Sequence, residues 1–357
     1  MRKTITGEHP VTIGLDLGDR RTHLCAVDAQ GEVSSRFSVT TTQRALQQVF
    51  GELAPSRVVL EVGTHSPWVS RLLASLGHEV IVANAREVRS ISGSSSKNDA
   101  ADAEQLARLG RADPKLLKPI RHRGEQAQRD RARLGVRDGL VRARTALINQ
   151  ARGLTKALGH RLPACGGASF ARRMQQEPLE ELFPGLDTLV ETIGQLSQAI
   201  RAQDREIERL CQQCYPETAL LRQVKGVGPI TSLAYVLTLE DPHRFAKSRS
   251  VGAYLELRPK QHQSGDRDPQ LRISKQGDAF LRRMLVQASH YILGPFGPDT
   301  DLRRFGERLS ARGGRLARKK ARVAVARKLA VLLHRLWITA ELYEPLRIGA
   351  GEEALTE

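Results

Sequence analysis

The 357-residue sequence has few aromatic residues and no long apolar run. Aromatic side chains make up 4% of the chain, so stacking of bases on aromatic rings is a poor general explanation for any nucleic-acid binding. No stretch approaches the ~20 apolar residues that a membrane-spanning helix needs, and the basic start MRKTITGEHPV lacks the apolar core of a signal peptide. We therefore expect a soluble intracellular protein that has no membrane partner.

Cysteine is also scarce. The four cysteines are Cys25, Cys165, Cys211 and Cys214, and only the last two, in CQQC, have the spacing of metal ligands. A structural zinc site would need a second such pair, which the sequence does not contain. We expect four reduced thiols with structural roles.

Acidic residues are outnumbered by basic ones. The chain has 56 Lys and Arg against 39 Asp and Glu, a formal net charge of +17. From Arg303 to Lys328 there are eleven basic residues and one acid, Glu307. An excess of this size favours a polyanionic partner, and nucleic acid is the first choice.

The first third of the chain alternates between strand and helix patterns. VTIGLDL, THLCAVD and VSSRFSV predict an antiparallel meander; a helix over 42–53, the strand RVVLEV, a helix over 66–76 and the strand HEVIVA follow. Three hairpin-linked strands followed by β-α-β predict an α/β domain over 8–115, with a mixed sheet flanked by helices in the outline of a ribonuclease H-like fold.

The remainder reads as helical. Heptad-like spacing predicts long helices over 123–160 and 187–214, which favours an antiparallel coiled coil or a dimer arm in a domain over 116–215. A mainly helical domain over 216–345 follows. Its segment VKGVGPITSLAYVL has the form of a helix-hairpin-helix, in which Lys225, Gly226 and Gly228 would meet a DNA phosphate. The alternative is a tight turn between two packed helices.

Four acids in the first third carry the strongest chemical signal. Asp16 and Glu61 each lie in an otherwise apolar strand, where an ionised side chain is costly unless it is paired or metal-bound. Asp99 and Asp102 are three residues apart at a helix start, so they share one face. Such a set suits Mg²⁺ and phosphoryl transfer. The alternative is ordinary: Asp16 starts a turn, Glu61 ends a strand, and the Asp pair caps a helix.

The order of motifs resembles that of one family. IGLDLGDRRTHLCAVD, LEVGTHSPWVSRLL, SSSKNDAADAEQLARL, KGVGPITSLAYV and RPKQHQSGDRDPQLRISKQGDAFLRRMLVQA closely resemble the DEDD insertion-sequence transposases. These are bridge-RNA-guided recombinases whose N-terminal domain is like the junction resolvase RuvC. The resemblance extends from about Val11 to the basic helices before residue 340.

This resemblance implies roles for particular residues. Asp16, Glu61, Asp99 and Asp102 match the DEDD acids and would bind Mg²⁺. Ser264 matches the serine nucleophile, since Pro259 lies five residues before a Ser-Gly pair, although Glu256 replaces the glycine usual in the family. The serine would form a phosphoserine link to DNA, with the acids of one subunit paired with the serine of another. Four cations near Ser264 in the sequence would hold DNA or RNA phosphate: Arg272, Lys275, Arg282 and Arg283. The alternative is that they are ordinary solvated cations on helices.

The implied partners are double-stranded donor and target DNA, a noncoding bridge RNA and further copies of the chain, as a dimer or as a tetramer built from two dimers. The implied location is the bacterial or archaeal cytoplasm, in association with the nucleoid. Two other functions stay open. One is a hydrolytic, RuvC-like, metal-dependent junction endonuclease in which Ser264 is only a loop residue. The other is a nucleic-acid-binding scaffold without catalytic activity.

Overall fold

The protein is described by a computed structural model that covers residues 11–84, 98–177, 179–260, 262 and 271–347. The chain divides into two compact units, Met1–Arg123 and Gly124–Glu357. The division into three domains over 8–115, 116–215 and 216–345 stays a prediction.

The first unit is built on a five-stranded mixed sheet with strand order β3-β2-β1-β4-β5. The strands are β1 (Thr12–Leu17), β2 (Arg21–Val27), β3 (Val33–Thr40), β4 (Arg57–Glu61) and β5 (Glu79–Ala83). The first three form an antiparallel meander, and β4 joins β1 and β5 in parallel pairing. The predicted α/β class and mixed sheet are confirmed.

Helices cover both faces of this sheet. On one face, α1 (Gln43–Phe50) and α2 (Ser66–Ser75) enclose a core that includes Ile13, Leu15 and Phe50, all fully buried. On the other face lies α3 (Asp99–Ala112), which contributes Leu106 to a smaller cluster. Because side chains alternate between the two faces along each strand, the sheet packs against helices on both faces.

The second unit is helical. Its α-helices are α4 (Glu125–Ala157), α5 (Phe170–Met174), α6 (Leu179–Leu182), α7 (Leu186–Gln213), α8 (Thr218–Arg222), α9 (Pro229–Leu239), α10 (Arg249–Tyr254), α11 (Ala279–Ile292), α12 (Asp301–Ser310) and α13 (Gly314–Thr339). The two longest, α4 and α7, pack antiparallel, since Arg133 pairs with Glu206 (3.4 Å) and Arg137 with Asp204 (2.6 Å). This is the antiparallel helix pair that the heptad-like spacing predicts; its part in self-association stays a prediction.

The C-terminal helices share one apolar core. Tyr235 on α9 is fully buried there, and its hydroxyl donates a hydrogen bond to the Ala330 carbonyl on α13 (2.6 Å). Burial raises the pKa of Tyr235 well above its ordinary value, so this phenol stays neutral and structural. Across the described part of the chain, no helix is both long enough and apolar enough to cross a membrane.

The cysteines form no disulfide. Cys25 and Cys211 are buried, and desolvation raises the pKa of both thiols. A buried thiol with a raised pKa is a poor nucleophile and metal ligand, which agrees with the predicted structural roles.

Candidate active site

Two of the predicted acids lie at the ends of neighbouring strands. Strands β1 and β4 are parallel, and their register pairs Leu15 with Leu60. Asp16 and Glu61 are the next residue on each strand, so they reach the same edge of the sheet, and both are half-buried. The sheet itself therefore brings together two acids that are 45 residues apart in sequence.

Asp16 and Glu61 also point to the same face of the sheet. A Cβ added at Gly14 would lie 1.9 Å from the Ala103 carbonyl oxygen, so the Gly14 face of β1 touches α3 directly. A Cβ added at Gly110 would lie 2.2 Å from Cγ2 of Val59, which puts Val59 on that face of β4. Side chains alternate along a strand, so the residues two positions further on, Asp16 and Glu61, face the side of α3.

The direction of α3 brings the other two acids to this edge. Gly110, near its end, lies over Thr12, and Ala103, near its start, lies over Gly14. The helix therefore runs antiparallel to β1, and its first turn, with Asp99 and Asp102, lies towards the Asp16 end of the strand. All four predicted acids thus converge on one edge and one face.

The capping interpretation of the Asp pair is wrong. The residue that caps α3 is Asn98, whose side-chain oxygen accepts a hydrogen bond from the Ala100 amide (3.1 Å). Asp99 and Asp102 follow it in the first helical turn, where a carboxylate is favoured by the helix dipole. Neither Asp99 nor Asp102 is therefore the N-cap of α3.

Two histidines at this edge were missed by the sequence reasoning. His23 on β2 pairs directly with Asp16, and its Nε2 lies 3.8 Å from the Asp99 carboxylate. The register of the β1–β2 hairpin was the signal that could have found it. His65, just before α2, lies 3.4 Å from Asp19, and its Nδ1 accepts a hydrogen bond from the Trp68 indole (3.1 Å). In the neutral ring the proton is therefore on Nε2, facing Asp19.

The donor chemistry of the edge fits a divalent cation of the Mg²⁺ type. Asp16, Glu61, Asp99 and Asp102 offer only carboxylate oxygens, which Mg²⁺ prefers. As the side chains lie, the described residues contain no group of three or more His, Cys, Asp or Glu close enough to hold a metal ion. The backbone thus places the acids together, but their side chains do not form a closed set of ligands.

Ser264 lies outside the described residues, but the segments on either side of its loop are described. The Lys260 amide donates a hydrogen bond to the Arg272 carbonyl (3.0 Å), and Pro259 forms an antiparallel bridge with Ile273. Residues 258–260 and 271–275 therefore form a short stem that leads into and out of this loop. We call it the loop stem.

Glu256, shortly before the loop stem, has a strained backbone conformation. Glu256 has φ +54°, in the left-handed region that glycine favours. Its carboxylate accepts a hydrogen bond from the Ser274 hydroxyl. This contact ties Glu256, which lies shortly before the stem, to the second segment of the stem.

The four cations predicted to bind phosphate differ in their surroundings. Arg282 donates to the carbonyls of Lys275 (2.9 Å), Gly277 (3.1 Å) and Leu255 (3.4 Å). Arg283 pairs with Asp138 (2.6 Å). Arg272 and Lys275 are exposed, and neither forms an ion pair with another described residue. Phosphate binding by these residues stays a prediction; the contacts of Arg282 point to a second role in the loop stem.

The Gly226–Gly228 turn has the predicted form of helix, Gly-x-Gly and helix, between α8 and α9. Gly226 has φ +96°, and a Cβ there would lie 2.9 Å from the Tyr291 ring, so glycine is required. Gly228 precedes the first turn of α9, and Lys225 is exposed beside it. DNA contact at this turn stays a prediction.

Sequence comparison assigns both units of the chain to transposases. Residues 13–158 match the family model of the DEDD transposases of the IS110 group, and residues 218–299 match that of the IS116/IS110/IS902 transposases. The chain is 31% identical to a probable family 20 transposase of Pseudomonas aeruginosa, over 82% of this chain and 86% of the relative.

Two further relatives agree. The transposase for insertion sequence element IS1111A of Coxiella burnetii is 28% identical over 95% of this chain and 92% of its own length. The transposase for insertion sequence element IS1328 of Yersinia enterocolitica is 31% identical over 85% of this chain and 86% of its own length. With its acids at one edge of a mixed sheet, the chain belongs to the IS110 family of DEDD insertion-sequence transposases and is a DNA transposase.

Proposed function

We propose that this transposase cleaves and rejoins DNA through a phosphoserine intermediate at Ser264, with a divalent metal held by the DEDD acids. The observation that carries the proposal is the convergence of Asp16, Glu61, Asp99 and Asp102 on one edge and one face of the sheet. An antiparallel meander followed by two parallel strands also supports a RuvC-like, ribonuclease H-type domain.

The four acids would hold Mg²⁺ against a phosphate of the DNA backbone. When bound, the ion would neutralise charge on the phosphate and so favour attack by a nucleophile. The protein itself would position the acids. Strands β1 and β4 fix Asp16 and Glu61, and the contact of Gly14 with α3 fixes the distance of Asp99 and Asp102 from the sheet. Their negative charge alone would otherwise repel the DNA.

The serine step exchanges one ester for another. The Ser264 oxygen attacks phosphorus, a bond from the serine oxygen to phosphorus forms, and the bond from phosphorus to one deoxyribose oxygen breaks. The hydroxyl proton of the serine leaves, and the released deoxyribose oxygen takes up a proton, so the step needs no oxidant or energy source. Strand exchange followed by the reverse reaction would rejoin the DNA and free the serine.

Guidance by a noncoding RNA and assembly into dimers or tetramers belong to the same proposal. The net charge of +17 supplies affinity for phosphate without reading sequence. The few aromatic residues offer little base stacking, so base pairing to an RNA supplied by the element would provide the specificity. Co-purification of a discrete element-encoded RNA with the transposase tests this part directly.

The serine assignment is tested with a suicide DNA substrate that traps the cleaved intermediate. The wild type should form a covalent protein–DNA adduct, and mass spectrometry should place the nucleotide on Ser264. Ser264→Ala should give no adduct, whereas Ser310→Ala, a serine at the end of α12, should behave as the wild type. An adduct formed by Ser264→Ala would contradict the serine mechanism and favour another nucleophile.

The metal assignment is tested separately. Asp16→Asn and Asp102→Asn should abolish adduct formation and weaken Mn²⁺ binding followed by electron paramagnetic resonance. DNA affinity in the presence of a chelator should not fall. Glu32→Gln, at an exposed acid of the turn between β2 and β3, is the matched control. Unchanged Mn²⁺ affinity in both Asp variants would contradict the proposed metal site.

A further inference from the structure

A large groove lies in the second unit beside the loop stem. Its volume is about 1620 Å³. It is lined by α12, one face of α13, the loop stem and residues 341–347. We call it the α13 groove.

The α13 groove is strongly cationic. Its lining includes ten Lys or Arg and three acids, Asp301, Glu341 and Glu344. Glu341 pairs with Arg335 (3.2 Å) and Glu344 with Arg347 (3.7 Å), so two of the acids are already neutralised by groove cations. Half of the groove cations belong to α13, which contains no Asp or Glu from Gly314 to Thr339.

The cations of α13 are arranged as a row along the groove. Lys319, Lys320, Arg327, Lys328 and Arg335 recur at spacings of one, seven, one and seven, so they follow a single face of the helix. With a rise of about 1.5 Å per residue, this row is about 24 Å long. A DNA strand carries one phosphate per about 3.4 Å along the duplex axis, so about seven phosphates would fit along the row.

Basic side chains of α13 pack against apolar surface in the groove. Lys328 Nζ lies 3.9 Å from the centre of the Phe305 ring, and the stem of Arg327 covers Gly252, where an added Cβ would be 3.0 Å from its Cγ. The Arg327 stem therefore covers apolar surface beside the groove, whereas the Lys328 ammonium lies against the face of the Phe305 ring. Leu316, 66% exposed, continues the apolar surface at the start of α13.

We propose that the α13 groove binds the phosphate backbone of the DNA that is to be cleaved. This inference rests on the proposed function in one respect, which is that the loop stem leads to the nucleophile. Arg272 and Lys275 of the stem line the same groove. A bound strand would therefore lie beside the loop stem. A second copy of the chain is a poor occupant, because a net charge of +17 would be brought against an already cationic groove.

The test removes three charges that line the groove and, as a comparison, three charges of α13 that do not line it. The groove variant is Arg312→Gln, Lys319→Gln and Lys320→Gln combined, and all three residues line the groove and are exposed. The matched control is Arg315→Gln, Arg318→Gln and Arg322→Gln, none of which lines it. Both variants lower the net charge equally, so long-range attraction changes by a similar amount.

Affinity for a fluorescein-labelled DNA duplex is measured over a salt series, in a Ser264→Ala background and with EDTA present. The groove variant should lose about 30-fold or more in affinity, and its log–log salt slope should be about two to three less steep, because each lost phosphate contact removes ~0.9 from the slope. The control should change the slope by less than about one. Cleavage chemistry is absent under these conditions, so failure of the serine or metal proposals would leave this result unaffected.

Three results would overturn the proposal: equal losses in the two triple variants, a loss confined to a duplex RNA of the same sequence, or a change in oligomeric state without a change in DNA affinity. Melting curves check that both triple variants fold. If either does not, the single exposed variants Lys319→Gln and Arg318→Gln are compared instead, and the same order of affinities is expected.

Discussion

Gly14 determines how close α3 lies to the sheet. In Gly14→Ala the new methyl would meet backbone atoms, the Ala103 carbonyl oxygen at 1.9 Å and the Ala107 amide nitrogen at 2.6 Å, which no side-chain rotation relieves. We expect a loss of about 1–3 kcal/mol in the free energy of unfolding. We also expect a large loss of DNA cleavage, because the helix that carries Asp99 and Asp102 must move away from Asp16.

Urea unfolding and a cleavage assay measure the two effects of Gly14→Ala. Gly63→Ala is the control, because nothing lies within 4 Å of a Cβ at that position, close to Glu61. If Gly14→Ala kept full cleavage activity despite lower stability, the spacing between α3 and β1 would not matter for the chemistry.

We expect His122 to make the stability of the first unit depend on pH. Burial, helped by the positive charges of Arg71 and Arg123, lowers its pKa below the ordinary value, and its Nε2 lies 2.8 Å from the buried Ser66 hydroxyl. The unfolded chain therefore binds a proton more readily than the folded one. Stability should fall as the pH drops below about 6.5, the pKa of an unperturbed histidine.

The measurement is the urea midpoint of wild type and His122→Gln at pH 7.5 and pH 5.5. The wild type should lose more stability than the variant between these two values. His122→Gln removes the titrating group and keeps a polar partner for Ser66. An equal pH dependence in both proteins would assign the effect to other groups.

At the scale of elements, Arg282 and Arg283 on α11 form a natural pair for comparison. Arg282 donates to three carbonyls around the loop stem, whereas Arg283 pairs with Asp138 on α4. Arg282→Gln should lower the rate of adduct formation about 10- to 100-fold through misplacement of the Ser264 loop, with little change in DNA affinity. Arg283→Gln should leave that rate within a few-fold of the wild type.

Rate and affinity are measured separately for these two variants, and Arg282→Lys is added because it keeps the charge and loses the forked geometry. A positioning role predicts that Arg282→Lys is nearly as slow as Arg282→Gln. If Arg282→Gln instead weakens DNA binding and flattens its salt dependence, Arg282 contacts phosphate directly.

Most elements were predictable from the sequence because each has a strong local signal. The meander, the parallel strands and the two long helices follow from apolar spacing, and α4 and α7 begin and end within a few residues of the predicted bounds. His23 could not be found this way, because its place opposite Asp16 depends on hairpin register. Nor could Arg282 be separated from Arg283, because these adjacent residues point about 100° apart around α11 and only the packing of that helix decides which of them reaches the loop stem.

On the scale of the whole molecule, charge and chemistry are unevenly distributed. The acids lie in the first unit, whereas the cationic groove and the loop stem belong to the second. Each unit has its own core, so each can keep its structure when the other is inactivated by a point substitution. This permits an experiment that asks whether one active site draws its acids and its serine from the same chain.

Mixing Asp16→Asn chains with Ser264→Ala chains gives that answer. If the acids of one subunit act with the serine of another, a mixed oligomer contains sites in which intact acids meet an intact serine, and part of the cleavage activity should return. If both groups come from one chain, every site carries a defect and no activity returns. The mixture is made by co-expression with two different affinity tags, and mixed oligomers are isolated by sequential purification before the adduct assay.

Controls make the result of this mixture decisive. Each variant alone should be inactive. When wild type is mixed with a double variant that carries Asp16→Asn and Ser264→Ala, activity should come only from sites whose acids and serine are both wild type. Mass spectrometry should find the adduct on chains that carry Asp16→Asn, because only those chains retain the serine. An adduct in the mixture therefore means that the attacking serine came from a chain with a defective acid site, and its absence would place serine and acids in the same chain.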